Sequence, residues 1–179
     1  GYGVVHYVND ALDSTSIGDN KVSVILEDRA KQGLWIGTQN GLYYFDRKTE
    51  TFTRYLQGGA EGERQCIIGL GELETGLLWV LSCIPNRLGL FDPATQVFRE
   101  LDLSGYGQID ALRGGQGGTV WAAGSAGLFT ADAANLRLLP VPLAGADGQP
   151  LEPSPINCIT EGQPGTLWLA DVRMEPCDP

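Results

Sequence analysis

Four tryptophans recur along this chain of 179 residues at nearly equal intervals, and this spacing constrains the fold more than any other feature. They are Trp35, Trp79, Trp121 and Trp168, and their separations are 44, 42 and 47 residues. Each stands two or three residues after a glycine, inside a short apolar run. A fixed period of this length indicates a repeat protein, in which each unit is stabilised by packing against the next.

The first full unit, residues 22–55, reads as four short strands separated by turn signals. Val22, Val24 and Leu26 are spaced by two, the period of a strand. The dipeptide Asn40-Gly41 favours a tight turn, because both residue types tolerate positive φ. Four antiparallel strands in about 35 residues bury too little surface to be stable alone. The unit therefore requires neighbours of the same shape.

The same order of runs returns three more times, which predicts an all-β fold: a β-propeller of four-stranded antiparallel blades. We expect one domain over residues 1–179, with these blade ranges: 1–9 (outer strand only), 22–55, 66–101, 108–141 and 156–171 (inner strands only).

These blades and partial blades do not form a complete, closed propeller, and three explanations stay open. The chain is a piece of a longer propeller, or Val4–Val8 completes the last blade of a four-blade ring, or the open blade edges pair with another copy. We favour the piece of a longer propeller.

The segment Glu27–Leu42 has the pattern ED-x4-GLWIGT-x-NGL and is followed by Phe45-Asp46. This pattern resembles the two-component regulator propeller repeat. Later blades depart from it, with Trp79-Val80-Leu81-Ser82 in the second and Trp121-Ala122-Ala123-Gly124 in the third.

The resemblance implies an extracytoplasmic sensor module of a bacterial hybrid histidine kinase or diguanylate cyclase, on the periplasmic or extracellular side of the membrane. Its expected ligand is an oligosaccharide or another small molecule, and any kinase or cyclase activity would lie outside this chain. The alternatives are a protein-interaction scaffold and a propeller lyase. A lyase similar to the streptogramin-inactivating family would use a catalytic histidine, and the one histidine, His6, falls on a predicted outer strand.

The net charge of the chain limits the classes of partner that it can bind. The net charge is −10 and the pI is about 4.4, so the surface repels nucleic acid and anionic membranes. No apolar run reaches the roughly 18 residues that a membrane span needs, so we expect no membrane insertion of this segment. The other predicted contact, through open blade edges, is either self-association or pairing with the rest of the propeller.

Signals for catalysis or cofactors are lacking in the sequence. A single histidine gives no Ser/His/Asp spacing, and no glycine-rich phosphate loop opens a helix. The four cysteines include no C-x-x-C pair, which argues against a metal site. We therefore predict no enzyme activity, no cofactor and no metal.

Candidate ligand-binding residues come from departures from the repeat. Phe91 follows Trp79 by 12 residues, whereas Phe45 follows Trp35 by 10, which assigns two extra residues to a loop over residues 82–87. A propeller places this loop on the same face as the blade-joining loop 57–65. Arg64, Asn86 and Arg87 are thus predicted to converge near the central mouth, where they would suit hydroxyls or a carboxylate. The alternative is that all three are solvated loop residues.

Three further sets of residues have structural predictions. The four tryptophans are interpreted as wedges between blades rather than sugar-stacking aromatics. The pair Glu27-Asp28, at the end of an inner strand, is interpreted as supplying a turn-capping acid rather than a functional carboxylate. Cys66 and Cys83 should lie near each other on adjacent strands, either as a disulfide or as two free thiols.

Overall fold

The computed structural model describes residues 3–56, 65–163 and 165–171, with only the backbone of Gln116. Within these residues it is built of β-strands, without an α-helix, and the all-β propeller prediction is confirmed. The strands are β1 (Val22–Glu27), β2 (Gly33–Thr38), β3 (Gly41–Asp46), β4 (Thr51–Leu56), β5 (Ile67–Glu72), β6 (Leu78–Cys83), β7 (Asn86–Asp92), β8 (Val97–Glu100), β9 (Ile109–Gly114), β10 (Val120–Gly124), β11 (Gly127–Asp132), β12 (Arg137–Pro140), β13 (Cys158–Glu161) and β14 (Leu167–Ala170).

Three antiparallel meanders form the blades. The first blade is β1–β4, the second is β5–β8 and the third is β9–β12; the pair β13–β14 is called the terminal hairpin. The first blade has a sheet of its own. The second and third blades share an eight-stranded sheet, because their innermost strands meet in a parallel bridge at Leu70 and Arg113.

Each complete blade closes its outer hairpin with the same turn. Asp46, Asp92 and Asp132 each accept hydrogen bonds from the backbone N–H groups two and three residues later. The residue before the next strand then adopts positive φ, as at Gln96 (58°). An aspartate is suited to this turn because its short carboxylate reaches those donors. The repeated Asp after an apolar run is therefore a structural signature of the blade.

Apolar side chains from facing blades form the core between them. One cluster joins Trp35 and Leu42 of the first blade to Ile67, Leu78 and Phe91 of the second. A second cluster joins the second blade to the third through these buried residues: Trp79, Leu81, Leu88, Leu90, Ile109, Leu112, Val120 and Ala122. A third joins the third blade to Ile156, just before the terminal hairpin, and to Ile159 within it.

Close approach of the second and third blades depends on Gly69 in β5. A Cβ built at this position would lie 2.6 Å from the Cβ of Leu112 in β9, much less than a van der Waals contact. Glycine lets the two innermost strands lie side by side near the propeller axis.

Residues 3–9 do not form the predicted outer strand. The backbone there is irregular and joins none of the sheets formed by the described residues. Instead Tyr7 packs on the face of the first blade that is turned away from the second blade. Its ring centroid lies 4.9 Å from that of Phe45 and 5.6 Å from that of Phe52. Val4 is 91% exposed. The segment containing Val4–Val8 thus lies against the first blade and does not complete the terminal hairpin.

Candidate functional site

Of the three predicted ligand-binding residues, Asn86 and Arg87 lie in the described part of the chain. Arg64 lies outside the described residues. Asn86 and Arg87 are neighbours in β7, so their side chains leave the strand on opposite faces. Asn86 donates from its amide to the carbonyl of Ile109 at 2.7 Å and accepts from the N–H of Ile109 at 3.1 Å. Arg87 pairs with Glu100 at 3.0 Å.

The structure of residues 82–87 also differs from the loop predicted there. β6 and β7 extend through it, Cys83 is paired with Asn86, and only Ile84 and Pro85 form the turn, with a cis peptide bond between them. The first blade has a turn of equal length between Thr38 and Gly41. The two extra residues therefore lengthen the hairpin by one residue pair. This extension is what lets Asn86 reach the next blade.

Cys66 and Cys83 do lie together. The N–H of Cys83 donates to the carbonyl of Cys66 at 2.9 Å, immediately beyond the pairing of Ile67 with Ser82. Both are free thiols in the structure. Burial, followed by the hydrogen bond and charge of the Cys83 thiol, raises the pKa of Cys66 to about 11. Their disulfide remains a prediction.

The tryptophans lie in equivalent positions but in different environments. Trp35 and Trp79 are buried, and each packs against the following blade. Trp121 is half-buried against Ile159 and Leu169 of the terminal hairpin. Trp168, on that hairpin itself, is 66% exposed. The degree of burial follows how much of a neighbouring blade stands over each indole in the described part of the chain.

A cleft of about 300 Å³ opens between the first and second blades, on the face of the hairpin turns Glu27–Gly33 and Glu72–Leu78. Both of its walls are complete four-stranded blades. We call it the interblade cleft, and its lining residues are Asp28, Trp35, Tyr44 and Tyr55 from the first blade and Glu72, Thr75, Gly76, Asp92, Pro93 and Ala94 from the second.

The first-blade wall of the interblade cleft is aromatic. Trp35 lies at its centre, with ring centroids 4.8 Å from Tyr44 and 5.1 Å from Tyr55. Tyr55 also meets Phe91 of the second blade edge-on at 6.1 Å. Rings that meet at tilted and edge-on angles hold each other in place. The wall is therefore a preformed apolar surface.

Three carboxylates complete the interblade cleft. Asp28 is buried and accepts from the hydroxyl of Tyr44 at 2.6 Å and from the N–H of Gln32 at 2.8 Å. The turn-capping interpretation therefore fits its contacts, and it also faces the cleft. Burial, followed by this hydrogen bond, raises the pKa of Tyr44, so the phenol stays protonated at neutral pH.

Glu72 is the carboxylate that joins the two walls. Its Oε2 accepts from the N–H of Arg29 in the first blade at 2.8 Å. Its pKa is raised, mainly by burial and further by the charge of Asp28. Asp92 differs, because the hydroxyl of Thr95 and then the N–H of Ala94 donate to it and lower its pKa. The cleft thus holds negative charge at neutral pH.

The sequence contains a signal for this cleft that the reasoning from loop lengths missed. Asp28 and Glu72 each stand seven residues before a repeated tryptophan, Trp35 and Trp79. Asp28 follows the innermost strand β1 and Glu72 ends the innermost strand β5, so blade packing places both acids at the interface of the two blades. The equal spacing of seven residues from each acid to its tryptophan would have identified two of the three carboxylates.

A larger cavity of about 460 Å³ lies between the third blade and the terminal hairpin, where Trp121, Leu143 and Leu167 form part of its apolar wall. It has one carboxylate, Glu161, against three in the interblade cleft. We regard the interblade cleft as the candidate site, because polar groups that orient a ligand converge there on an apolar surface.

The described ranges contain neither a metal-binding cluster nor a membrane-spanning helix. No group of three or more His, Cys, Asp or Glu side chains there is arranged to hold a metal ion. No helix in the same ranges has the length and apolar character needed to cross a bilayer.

Comparison with known proteins identifies relatives in structure only. No protein-family profile and no curated sequence matches the chain. The extracellular domain of a hybrid two-component system from B. thetaiotaomicron superimposes with a TM-score of 0.68 and 21% identity, over 92% of this chain and 21% of that one. That of a one-component system from the same organism gives 0.65 and 18%, over 89% of this chain and 21% of that one.

A second kind of neighbour has the same architecture. Virginiamycin B lyase from Staphylococcus aureus superimposes with a TM-score of 0.60 and 16% identity, over 86% of this chain and 50% of the lyase. At these identities the comparisons establish the propeller-like fold. The chain spans about a fifth of the length of the extracellular domains that it resembles.

Proposed function

We propose that this chain is an extracytoplasmic ligand-sensing module of a signal-transduction receptor, non-catalytic by itself, and that the interblade cleft is its ligand site. The observation that carries the proposal is the cleft: a preformed aromatic wall faces carboxylates on a second blade, at a volume of about 300 Å³. Its fold is that of extracellular domains of bacterial two-component and one-component systems. The two-component regulator propeller repeat suggested by Glu27–Leu42 belongs to this proposal.

A ligand in this position would touch both blades at once. The first blade has a separate sheet and is linked to the second by packing and by the Arg29–Glu72 hydrogen bond. A ligand shifts an equilibrium only if it binds one arrangement better than another. Contacts to both walls favour the arrangement in which the walls are at the right distance. This is the physical basis for sensing.

The lyase alternative has less support. A lyase of this architecture would be expected to use a catalytic histidine, and the single histidine of the chain, His6, is exposed on the segment that packs against the first blade. It does not line the interblade cleft. We therefore propose binding without turnover.

The test is a binding screen with a variant that fills the cleft. Thermal-shift and calorimetric titrations would use neutral, acidic and amine-bearing small molecules and oligosaccharides. In the variant Ala94→Trp the new indole would occupy the cleft, and binding should disappear. Ala134→Trp is the matched control, because Ala134 has the same position in the corresponding turn of the third blade and donates to Asp132 as Ala94 does to Asp92.

The wild type and Ala134→Trp should bind at least one compound, and Ala94→Trp should bind none. The proposal is wrong if the wild type binds nothing in a broad panel. It is also wrong if the two tryptophan variants bind equally well.

A further inference from the structure

We propose that the interblade cleft selects small organic cations, that is, compounds carrying an ammonium group beside an apolar or ring-shaped body. This inference rests on the proposed function, since it names the class of ligand for the same site. It goes beyond the family resemblance, which suggests only an oligosaccharide or another small molecule.

The charge of the lining is the first argument. Asp28, Glu72 and Asp92 all line the cleft, and none of the ten residues that line it in the described part of the chain is basic. Arg29 contributes its backbone N–H to Glu72, while its guanidinium extends to Glu74 at 3.5 Å. The charge of Arg99, which does not line the cleft, acts on Asp92. The carboxylates in the cleft therefore lack a cationic side chain among the lining residues. A bound ammonium group would supply the missing positive charge.

The state of Glu72 is the second argument. Its carboxylate is partly buried close to Asp28, and this raises its pKa above the ordinary value. A raised pKa means that negative charge here is costly in the absence of a countercharge. A cation placed between the two acids would reverse that effect and be bound more tightly for it. A neutral hydroxyl would gain much less.

The aromatic wall is the third argument. Tyr44 and Tyr55 flank Trp35 and are only partly buried, so ring surface is available to a ligand. Aromatic faces attract cations electrostatically, and they also pack well against methylene groups and sugar rings. Three rings, with Asp28 beside them and Glu72 and Asp92 on the opposite blade, match an ammonium compound better than a neutral or an anionic one. The chain's net charge of −10 strengthens the bias against anions.

The experiment uses matched ligands on the chain described here. Glucosamine and N-acetylglucosamine share one ring, but only the first carries an ammonium group, and putrescine supplies ammonium groups without a ring. Isothermal titration calorimetry at low and high salt should detect glucosamine and putrescine, with affinities that fall as salt screens the attraction. N-acetylglucosamine should bind at least about tenfold more weakly than glucosamine.

Charge removal at one position supplies the second readout. Glu72→Gln keeps the carbonyl that accepts from Arg29 but removes the charge, and it should weaken glucosamine binding about tenfold. Glu100→Gln, on the remote pair with Arg87, should leave binding unchanged.

Equal affinity for glucosamine and N-acetylglucosamine would overturn the proposal, as would full affinity in Glu72→Gln. If only neutral ligands bind and Ala94→Trp removes that binding, the cation inference fails while the proposed function stands. If no compound of either kind binds, both fail.

Discussion

The side-chain amide of Asn86 pairs with the backbone of Ile109 as one strand pairs with another, donating at 2.7 Å and accepting at 3.1 Å. One residue of the second blade thereby satisfies both polar groups at the start of the third. Asn86→Ala leaves a donor and an acceptor without partners in a partly buried position. We expect it to lower the free energy of unfolding by about 2–3 kcal/mol, measured by urea denaturation.

Arg87→Ala is the control for Asn86. Arg87 and Glu100 are both about half exposed, and exposed ion pairs contribute less than about 1 kcal/mol. An equal loss in both variants would mean that the amide pair has no special role.

Trp79 and Trp168, the most buried and the most exposed of the four tryptophans, should contribute very differently to the free energy of unfolding. Trp79 is fully buried, and its indole nitrogen has no hydrogen-bond partner among the described residues. Trp79→Ala should cost about 3–5 kcal/mol or prevent folding. Trp168 is 66% exposed, so Trp168→Ala should cost less than about 1 kcal/mol. Denaturant unfolding of both variants measures this, and similar losses would contradict the assigned positions.

Gly69 should not tolerate a methyl group. Its Cβ would meet Leu112 at 2.6 Å, so Gly69→Ala forces the second and third blades apart and should cost about 1–3 kcal/mol. Gly114→Ala is the matched control in the neighbouring strand, since its nearest atom would be 3.5 Å away. Thermal unfolding of both proteins decides the matter, and a smaller loss for Gly69→Ala than for Gly114→Ala would contradict it.

The thiol of Cys66 should react slowly. Because its pKa is raised to about 11, it is almost entirely protonated at neutral pH, whereas the thiolate is the reactive form. In the reduced protein, iodoacetamide should modify the exposed Cys158 first and Cys66 only as the pH approaches 11. Peptide mass spectrometry follows the two sites separately. Equal rates for Cys66 and Cys158 at neutral pH would contradict this.

Glu72→Gln should stabilise the ligand-free protein at neutral pH. A carboxyl whose pKa is raised by folding contributes stability below its unfolded pKa, near 4.5, and loses that contribution as the pH rises through its folded value. At about pH 7 the wild type therefore carries a charge that the fold disfavours. The melting temperature of the variant should exceed that of the wild type there, and the difference should vanish below pH 4.5. An advantage that grows in acid would refute the assignment.

The blade architecture could be predicted from the sequence because it is local. Strand alternation in residues 22–55 and the Asn40-Gly41 turn act over a few residues, and the repeated tryptophan carries the pattern onward. The site depends on longer distances. The length of the β6–β7 hairpin showed that Asn86 was unusual, but not that Ile109, 23 residues away, would occupy its amide. The hydrogen bond from the N–H of Arg29 to Glu72 likewise depends on how two blades are inclined.

The bridge between Leu70 and Arg113 has a mechanical consequence. The second and third blades are joined through backbone hydrogen bonds, which resist shear together, whereas the first blade is attached by side chains and the Arg29–Glu72 hydrogen bond. Under mechanical force the chain should separate first at the interface between the first and second blades, which contains the cleft. The first blade would then detach as a whole, while the second and third blades stay together. A ligand bound to both walls of the cleft would raise the force needed to separate these two blades.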